Sequence, residues 1–288
     1  MSLTTLRRVE VEERIGKEGA TLTPAERRVA EVVLAQPQLV AFGTVADLAE
    51  AAGSGAATVV RLASKLHYDG FTELQSAVQR GLARQLRPAA ERIREPAASD
   101  SISRHLDLEI DNVASTLRSL DVEALDDLVS HIAHPSHRVH LLSGDASLGV
   151  AQQWLGELSA LREHVGLIEG NDVAVQRMLA HMEPVDTVIA IDLRRYDRWV
   201  VDAVKSCSAR GAWIAAVTDS LLSPLAAHAD RTFTVAAAGG GPFDSHVGTL
   251  ALANLVIAGV ASRLRTEATH RLDRAEEAWR ESGSLTDR

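Results

Sequence analysis

Three groups of residues have types and spacings that could do chemistry. Thr58, Arg61 and Lys65 fall at i, i+3 and i+7 on one side of a helix expected over about residues 57–66. Val59, Leu62, Ala63 and Leu66 line the other side. An arginine bridges guanine O6 and N7, a threonine touches a base edge or a thymine methyl, and a lysine neutralises a phosphate. With Ser54 and Ser64 beside them, these five are the candidate DNA-contacting residues. An amphipathic helix with a solvated face has the same pattern. The second group is the loop Asp192-Leu193-Arg194-Arg195-Tyr196-Asp197. Arg194 and Arg195 either offer planar forks to a carboxylate or phosphate, or pair with Asp192 and Asp197 at the surface. The third, Ser143-Gly144-Asp145-Ala146-Ser147-Leu148, follows an apolar run and opens a helix. Free N–H groups at such a start favour an anion, and the same Gly/Ser pattern equally serves to turn the chain and cap the helix.

Two other chemistries are weaker. His131, His134, His137 and His140 recur every third residue. Pro135 breaks any common helix, His140 falls on an expected strand, and neither Cys nor carboxylate lies among them, so surface histidines and no metal are expected. Acid–base catalysis needs a placed carboxylate or histidine. Glu157, Glu169 and His246 are conceivable, yet none stands in a motif. No catalytic residue and no cofactor is assigned, and binding without turnover is expected.

The elements that must position these residues change character along the chain. Thr23-Pro24-Ala25-Glu26 reads as a capping box with proline at the first helical position, followed by the stripe Val29, Val32, Val33 and a stop at Pro37. A second helix is expected over about 44–52, then the break Gly53-Ser54-Gly55, the helix over 57–66, and another from Phe71. Residues 85–101, with Pro88 and Pro96, read as linker, and 102–120 and 122–132 as amphipathic helices. From Arg138 on, short apolar runs at 139–142, 165–168, 185–191, 212–217 and 232–235 alternate with helix-length segments, the signature of a parallel sheet covered on both faces.

Composition sets the outer bounds. At 288 residues and 46% hydrophobic, the chain can bury two cores. A single cysteine, Cys207, excludes an internal disulfide and a Cys-rich metal site. No signal-peptide core opens the sequence, and the longest apolar run, 250–261, is too short to span a bilayer, so a cytoplasmic location is expected. The net charge of −9 is uneven. Residues 1–95 hold 13 Lys/Arg against 12 Asp/Glu, and the remainder 17 against 27. A near-neutral head with a few placed basic residues can bind DNA beside an acidic domain.

The segments LTPAERRVAEVVLAQP and TVADLAEAAGSGAATVVRLASKLHYDGFTELQ resemble the N-terminal domain of the RpiR/MurR family of bacterial regulators over roughly residues 20–80. The family's usual serine cap on the recognition helix is Gly55 here, with Ser54 as the substitute. Residues 105–265 are similar to the sugar-isomerase (SIS) domain that follows this head. The resemblance implies an all-α helix-turn-helix domain (1–84), a linker (85–104) and an α/β SIS-like domain (105–288) with a three-layer, five-stranded parallel sheet. It implies effector-binding residues at the carboxyl ends of the strands: Ser143, Asp145 and Ser147; Arg194 and Arg195; Thr218, Ser220 and Ser223; and Ser245 and His246 beside the run Gly239-Gly240-Gly241, itself read as a flexible connector. Where phosphosugar binders carry a Ser-x-Ser-Gly-x-Thr cradle, this chain has the Arg-rich loop 192–197. The expected protein is a ligand-responsive regulator, by family tendency a repressor, with double-stranded operator DNA and a small anionic metabolite as partners. It is expected as a homodimer or homotetramer with no membrane partner. An isomerase-like enzyme and a regulator whose SIS fold serves only for dimerisation are the alternatives.

Overall fold

A computed structural model describes residues 9–19, 21–85, 88–94, 101–221 and 223–285. The chain divides into two compact units, Met1–Glu91 and Arg92–Arg288. Of the expected 85–104 linker, residues 86–87 and 95–100 lie outside the described residues. Gln85 closes a helix, 89–92 form a short one, and 101–104 open the first long helix of the second unit.

The first unit is helical: α1 (Val9–Glu18), α2 (Pro24–Ala35), α3 (Pro37–Phe42), α4 (Val45–Ala51), α5 (Ala56–Lys65) and α6 (Phe71–Gln85), with α7 (Ala89–Arg92) at its boundary. The capping box at Thr23 forms as expected: the Thr23 hydroxyl accepts from Glu26 N at 3.4 Å, and Glu26 Oε2 accepts from Thr23 N at 2.9 Å. Thr44 and Asp47 repeat it on α4. Pro37 does end α2, but it also opens α3, because a residue without an N–H fits a first helical position. Gly53 turns the chain between α4 and α5 at φ +53°, a conformation glycine adopts without steric penalty. Val29, Val40, Leu48, Val59, Leu62, Leu66 and Leu74 form a fully buried core.

The second unit begins with α8 (Ser101–Arg118) and α9 (Val122–Ala133). Then β1 (Arg138–Ser143), β2 (Val165–Ile168), β3 (Asp186–Ile191), β4 (Trp213–Thr218) and β5 (Arg231–Thr234) alternate with α10 (Leu148–Leu161), α11 (Asp172–Ala180) and α12 (Arg198–Ala209). Two helices close it, α13 (Val247–Arg263) and α14 (Arg265–Ser282). All strand pairs are parallel, in the order β2-β1-β3-β4-β5. Ile189 and Ile191 pack with Leu128, Trp154 and Leu158 on one side of the sheet. Val188 and Ala190 pack with Leu179, Val200 and Val204 on the other, giving three layers. Successive strands run outward in opposite directions from β1, so a crevice opens between the carboxyl ends of β1 and β3, the place where open α/β sheets take ligands. Among the described residues no single helix is long and apolar enough to cross a membrane.

Two expectations need correction. The run Gly239–Gly241 is not a loose connector. A Cβ on Gly239 would lie 2.9 Å from the Phe243 carbonyl carbon, and one on Gly240 would lie 3.1 Å from His105 Nδ1. Asn112 of α8 holds Ala238 through both its N–H (3.0 Å) and its carbonyl (2.9 Å). Nor are the histidines separate surface groups. His131 stacks on Trp213 at 4.0 Å and His134 on His137 at 4.1 Å. The cause is Arg162, 5% exposed, whose guanidinium donates to the carbonyls of Ile132, His134 and His137, drawing the loop's backbone inward and gathering its rings. Burial pushes the His131 and His137 imidazoles below the usual histidine range.

Candidate DNA-reading helix and effector site

In the first unit, α5 is pinned at several points. The Arg14 guanidinium donates to Leu66 O (2.7 Å) and His67 O (2.8 Å), satisfying carbonyls at the helix C-terminus, and lies 4.4 Å over the Tyr68 ring. Arg28 of α2 donates to Ala52 O (3.3 Å) and Gly53 O (3.4 Å), fixing the turn before α5. Lys65 Nζ donates to Glu26 Oε2 (2.7 Å) and Thr21 O (3.0 Å). The Lys65 ammonium and the Thr23 backbone hold the Glu26 carboxyl down at about 2.

These contacts revise the outward face expected from spacing. Thr58 is 7% exposed, and its hydroxyl accepts from Arg61 at 3.1 Å. Lys65 is turned back to α2 by a buried carboxylate. Ser54 does not cap α5: Gly55 holds the cap position without a side-chain bond, and the Ser54 hydroxyl is buried without a partner. Ala56, Ala57, Val60, Arg61 and Ser64 are the exposed residues of α5. Val60 was not singled out by its type, since a valine in an amphipathic helix reads as core. Its position, opposite the Val59–Leu62–Leu66 stripe, was the available signal.

In the second unit, the expected effector residues converge on the carboxyl edge of β1, β3 and β4. Ser143 and Ser147 are buried with unpartnered hydroxyls, and Asp145 is exposed. Ser223 is buried, and its hydroxyl accepts from Ala226 N at 3.2 Å to close a local turn. Thr218, which ends β4, and Ser220 just after it are buried. Ser245 donates to Glu109 of α8 at 2.5 Å. His246 is half-buried against the Ala146 backbone, and burial depresses its pKa below the ordinary value. The edge therefore gathers the expected residues, though Ser223 is engaged in a local turn and Ser245 by Glu109 of α8.

Arg194 pairs with neither Asp192 nor Asp197, but with carboxylates from two other loops. Its Nε lies 3.5 Å from Asp244 Oδ2 and 3.8 Å from Asp219 Oδ2, its NH2 donates to Ala237 O at 3.1 Å, and its side chain is 7% exposed. Arg92 NH1 takes the other oxygen of Asp244 at 2.7 Å. Asp219 Oδ1 also accepts from the Tyr196 hydroxyl at 2.7 Å, and burial with that carboxylate pushes the phenol pKa up. Arg195 is exposed at φ +67°, a left-handed conformation. Asp192 packs under Gly144, where a Cβ would lie 2.7 Å from its Cγ. Burial raises the Asp192 pKa to about 6. Asp219, Asp244 and Arg92 escaped the sequence reading because they stand 23 to 152 positions from their partners.

A pinned helix after a glycine turn, with arginine and serine outward, joined to a parallel sheet with polar loops at its switch point, defines a DNA reader coupled to a small-molecule binding domain. Comparison with known proteins agrees. Residues 9–85 match the helix-turn-helix domain of the rpiR family, and residues 146–258 match the SIS domain. The sugar isomerase domain of an RpiR transcription factor from Sphaerobacter thermophilus is 30% identical, with a TM-score of 0.57 over 61% of this chain and 97% of that one. The Pseudomonas aeruginosa regulator HexR is 27% identical over 71% of each chain. The Vibrio vulnificus NanR protein, solved with ManNAc-6P, shares the fold at 19% identity and a TM-score of 0.56, over 93% of this chain and 97% of that one. The chain belongs to the RpiR family of helix-turn-helix transcriptional regulators with a SIS ligand-binding domain.

Proposed function

We propose that this regulator reads operator DNA through the exposed face of α5 and responds to a small carbohydrate-like metabolite at the carboxyl edge of its sheet, as a cytoplasmic repressor without enzymatic turnover. The observation that carries the DNA reading is the exposure of Arg61 and Ser64 on a helix where Thr58 is buried and Lys65 is engaged by Glu26. Support for binding without turnover is that relatives such as HexR are named transcriptional regulators. Of the three conceivable bases, Glu157 pairs with Gln153, Glu169 is exposed outside the expected set, and His246 alone stands at the edge. The DNA-reading head spans 1–84, the linker 85–104 and the effector domain 105–288, with α8 beginning inside that linker.

Two copies are needed to read a two-fold-related operator. The exposed stripe Ile102, Leu106, Ile110 and Leu117 on α8 fits a second copy of this chain, as dimer or tetramer. Effector binding then shifts a population, provided the two arrangements bind it with different affinity. The Arg92–Asp244–Arg194 chain supports that coupling, because it joins the edge to the residue where the second unit begins.

The test is fluorescence anisotropy of the full chain on labelled duplex from upstream of its own gene, against a scrambled duplex at equal salt. Tighter binding to the native duplex that is lost with Arg61→Ala supports the reading. Equal, weak, salt-sensitive binding of both duplexes by wild type counts against it.

A further inference from the structure

We propose that the anion-binding end of this SIS site is filled by the protein's own carboxylates, so that its effector is a hydroxyl-bearing molecule without a phosphate group. The inference rests on the second unit being an effector domain and names the class of ligand it takes. A phosphate is held by converging N–H donors and cationic side chains. In the two loops that meet at the switch point, four main-chain donors already have carboxylate acceptors. Leu193 N donates to Asp192 Oδ1 at 3.0 Å and Asp197 N to Asp192 Oδ2 at 2.8 Å. Arg194 N donates to Asp219 Oδ1 at 3.0 Å, and Asp145 N to Asp197 Oδ2 at 2.8 Å. The cation that could join them, Arg194, is held by Asp219, Asp244 and the Ala237 carbonyl.

Charge argues the same way. Around these loops stand Asp145, Asp192, Asp197, Asp219, Asp244 and Glu109. Against them are Arg92 and Arg194, both already paired, and the exposed Arg195. A phosphate dianion entering here meets like charge in a partly desolvated crevice, which costs affinity unless it is paired. The Arg92 and Arg194 Nε atoms lack a hydrogen-bond partner, but both guanidinium groups are ion-paired with Asp244, and the other groups with unused capacity are neutral. The Ser143 and Ser147 hydroxyls, 4% and 0% exposed, have no hydrogen-bond partner, and neither has His246 Nδ1. Buried hydroxyls are ordinarily satisfied, so two orphans at the mouth of a ligand crevice mark where a ligand's own hydroxyls bind. The carboxylates on Asp192, Asp197 and Asp219 thus take the place that a bound anion would hold.

The experiment is thermal unfolding of the full chain followed by tryptophan fluorescence. All four tryptophans, Trp154, Trp199, Trp213 and Trp279, lie in the second unit. The probes are inorganic phosphate and N-acetylmannosamine 6-phosphate, each against chloride at the same ionic strength. Wild type is expected to show no saturable shift with either. Asp219→Ala frees Arg194 N–H and removes one of the Arg194 carboxylates, and it is expected to gain a rise of roughly 3 °C at ligand about tenfold above Kd. Asp197→Ala, which frees Asp145 N–H from a half-exposed acceptor, is the second variant should Asp219→Ala not fold. A saturable wild-type response to either phosphate overturns the proposal while leaving the sensor reading intact. Folded variants that stay as indifferent to phosphate as wild type overturn it too, since the carboxylates would then not be what closes the site. Failure of the DNA-binding experiment would instead touch the regulator reading and leave this result standing.

Discussion

The DNA-reading helix and the effector edge use charge in opposite ways. On α5 Lys65 is tied to Glu26 and Thr58 is buried, whereas Arg61, which donates to the Thr58 hydroxyl, and Ser64 are exposed. At the effector edge the buried arginine and several carboxylates are engaged within the same unit: Arg194 by Asp219 and Asp244, Asp244 again by Arg92, and Asp197 by the neutral Asp145 amide. A surface that meets a polyanion keeps cations solvated and available, whereas this concave site pairs its buried arginine with carboxylates and leaves hydroxyls without a partner. The contrast separates residues whose loss weakens binding from residues whose loss weakens the fold.

The largest expected effect is at the edge. Arg194→Ala leaves Asp219 and Asp244 facing each other partly buried, and should destabilise the second unit by about 3 kcal/mol. Denaturant titration followed by tryptophan fluorescence measures this, and a stable variant would break the claim that Arg194 is structural. Next is Arg61→Ala, expected to weaken operator binding by about 1–3 kcal/mol with the far-UV melting curve unchanged. Loss of fold in that variant would erase the distinction between the two regions.

Lys65→Ala sharpens the comparison within α5 itself. Because Lys65 holds the buried Glu26, the expected outcome is about 1 kcal/mol of lost head stability. The salt dependence of DNA binding should stay unchanged, whereas a lysine on phosphate would take about one unit off that slope.

A last expected effect is one of pH, with opposite signs in the two units. Glu26 has a depressed pKa of about 2, so its contribution to head stability is present above pH 4.5 and is lost as pH falls from there toward 2. Asp192 has a raised pKa of about 6, so the folded second unit binds a proton more readily than the unfolded chain. The second unit should gain stability from this group as pH drops from 7 toward 4. Asp192→Asn and Glu26→Gln should each flatten only the matching slope, followed by tryptophan fluorescence for the first and far-UV dichroism for the second.

The sequence by itself determined the elements and the class of fold. The capping box at Thr23, the turn at Gly53, the stripe Val59–Leu62–Leu66 and all five strands are local patterns of spacing and turn chemistry, and each stands within a residue or two of its expected place. Local pattern also put Ser143, Ser147 and Arg194 at strand ends and loops that the parallel topology brings to one edge, and the family resemblance added His246. Only the tertiary structure decided what those side chains do. Thr58 and Arg61 share a face by spacing, yet one is buried and the other exposed, because packing of α5 rather than its period sets the boundary of the stripe. Arg194 reads as an anion clamp until Asp219 and Asp244 are brought beside it, and the glycine run reads as loose until Asn112 is found holding it. Such pairings join residues far apart in the chain and follow from Coulomb attraction and desolvation at short range, which a one-dimensional pattern does not encode.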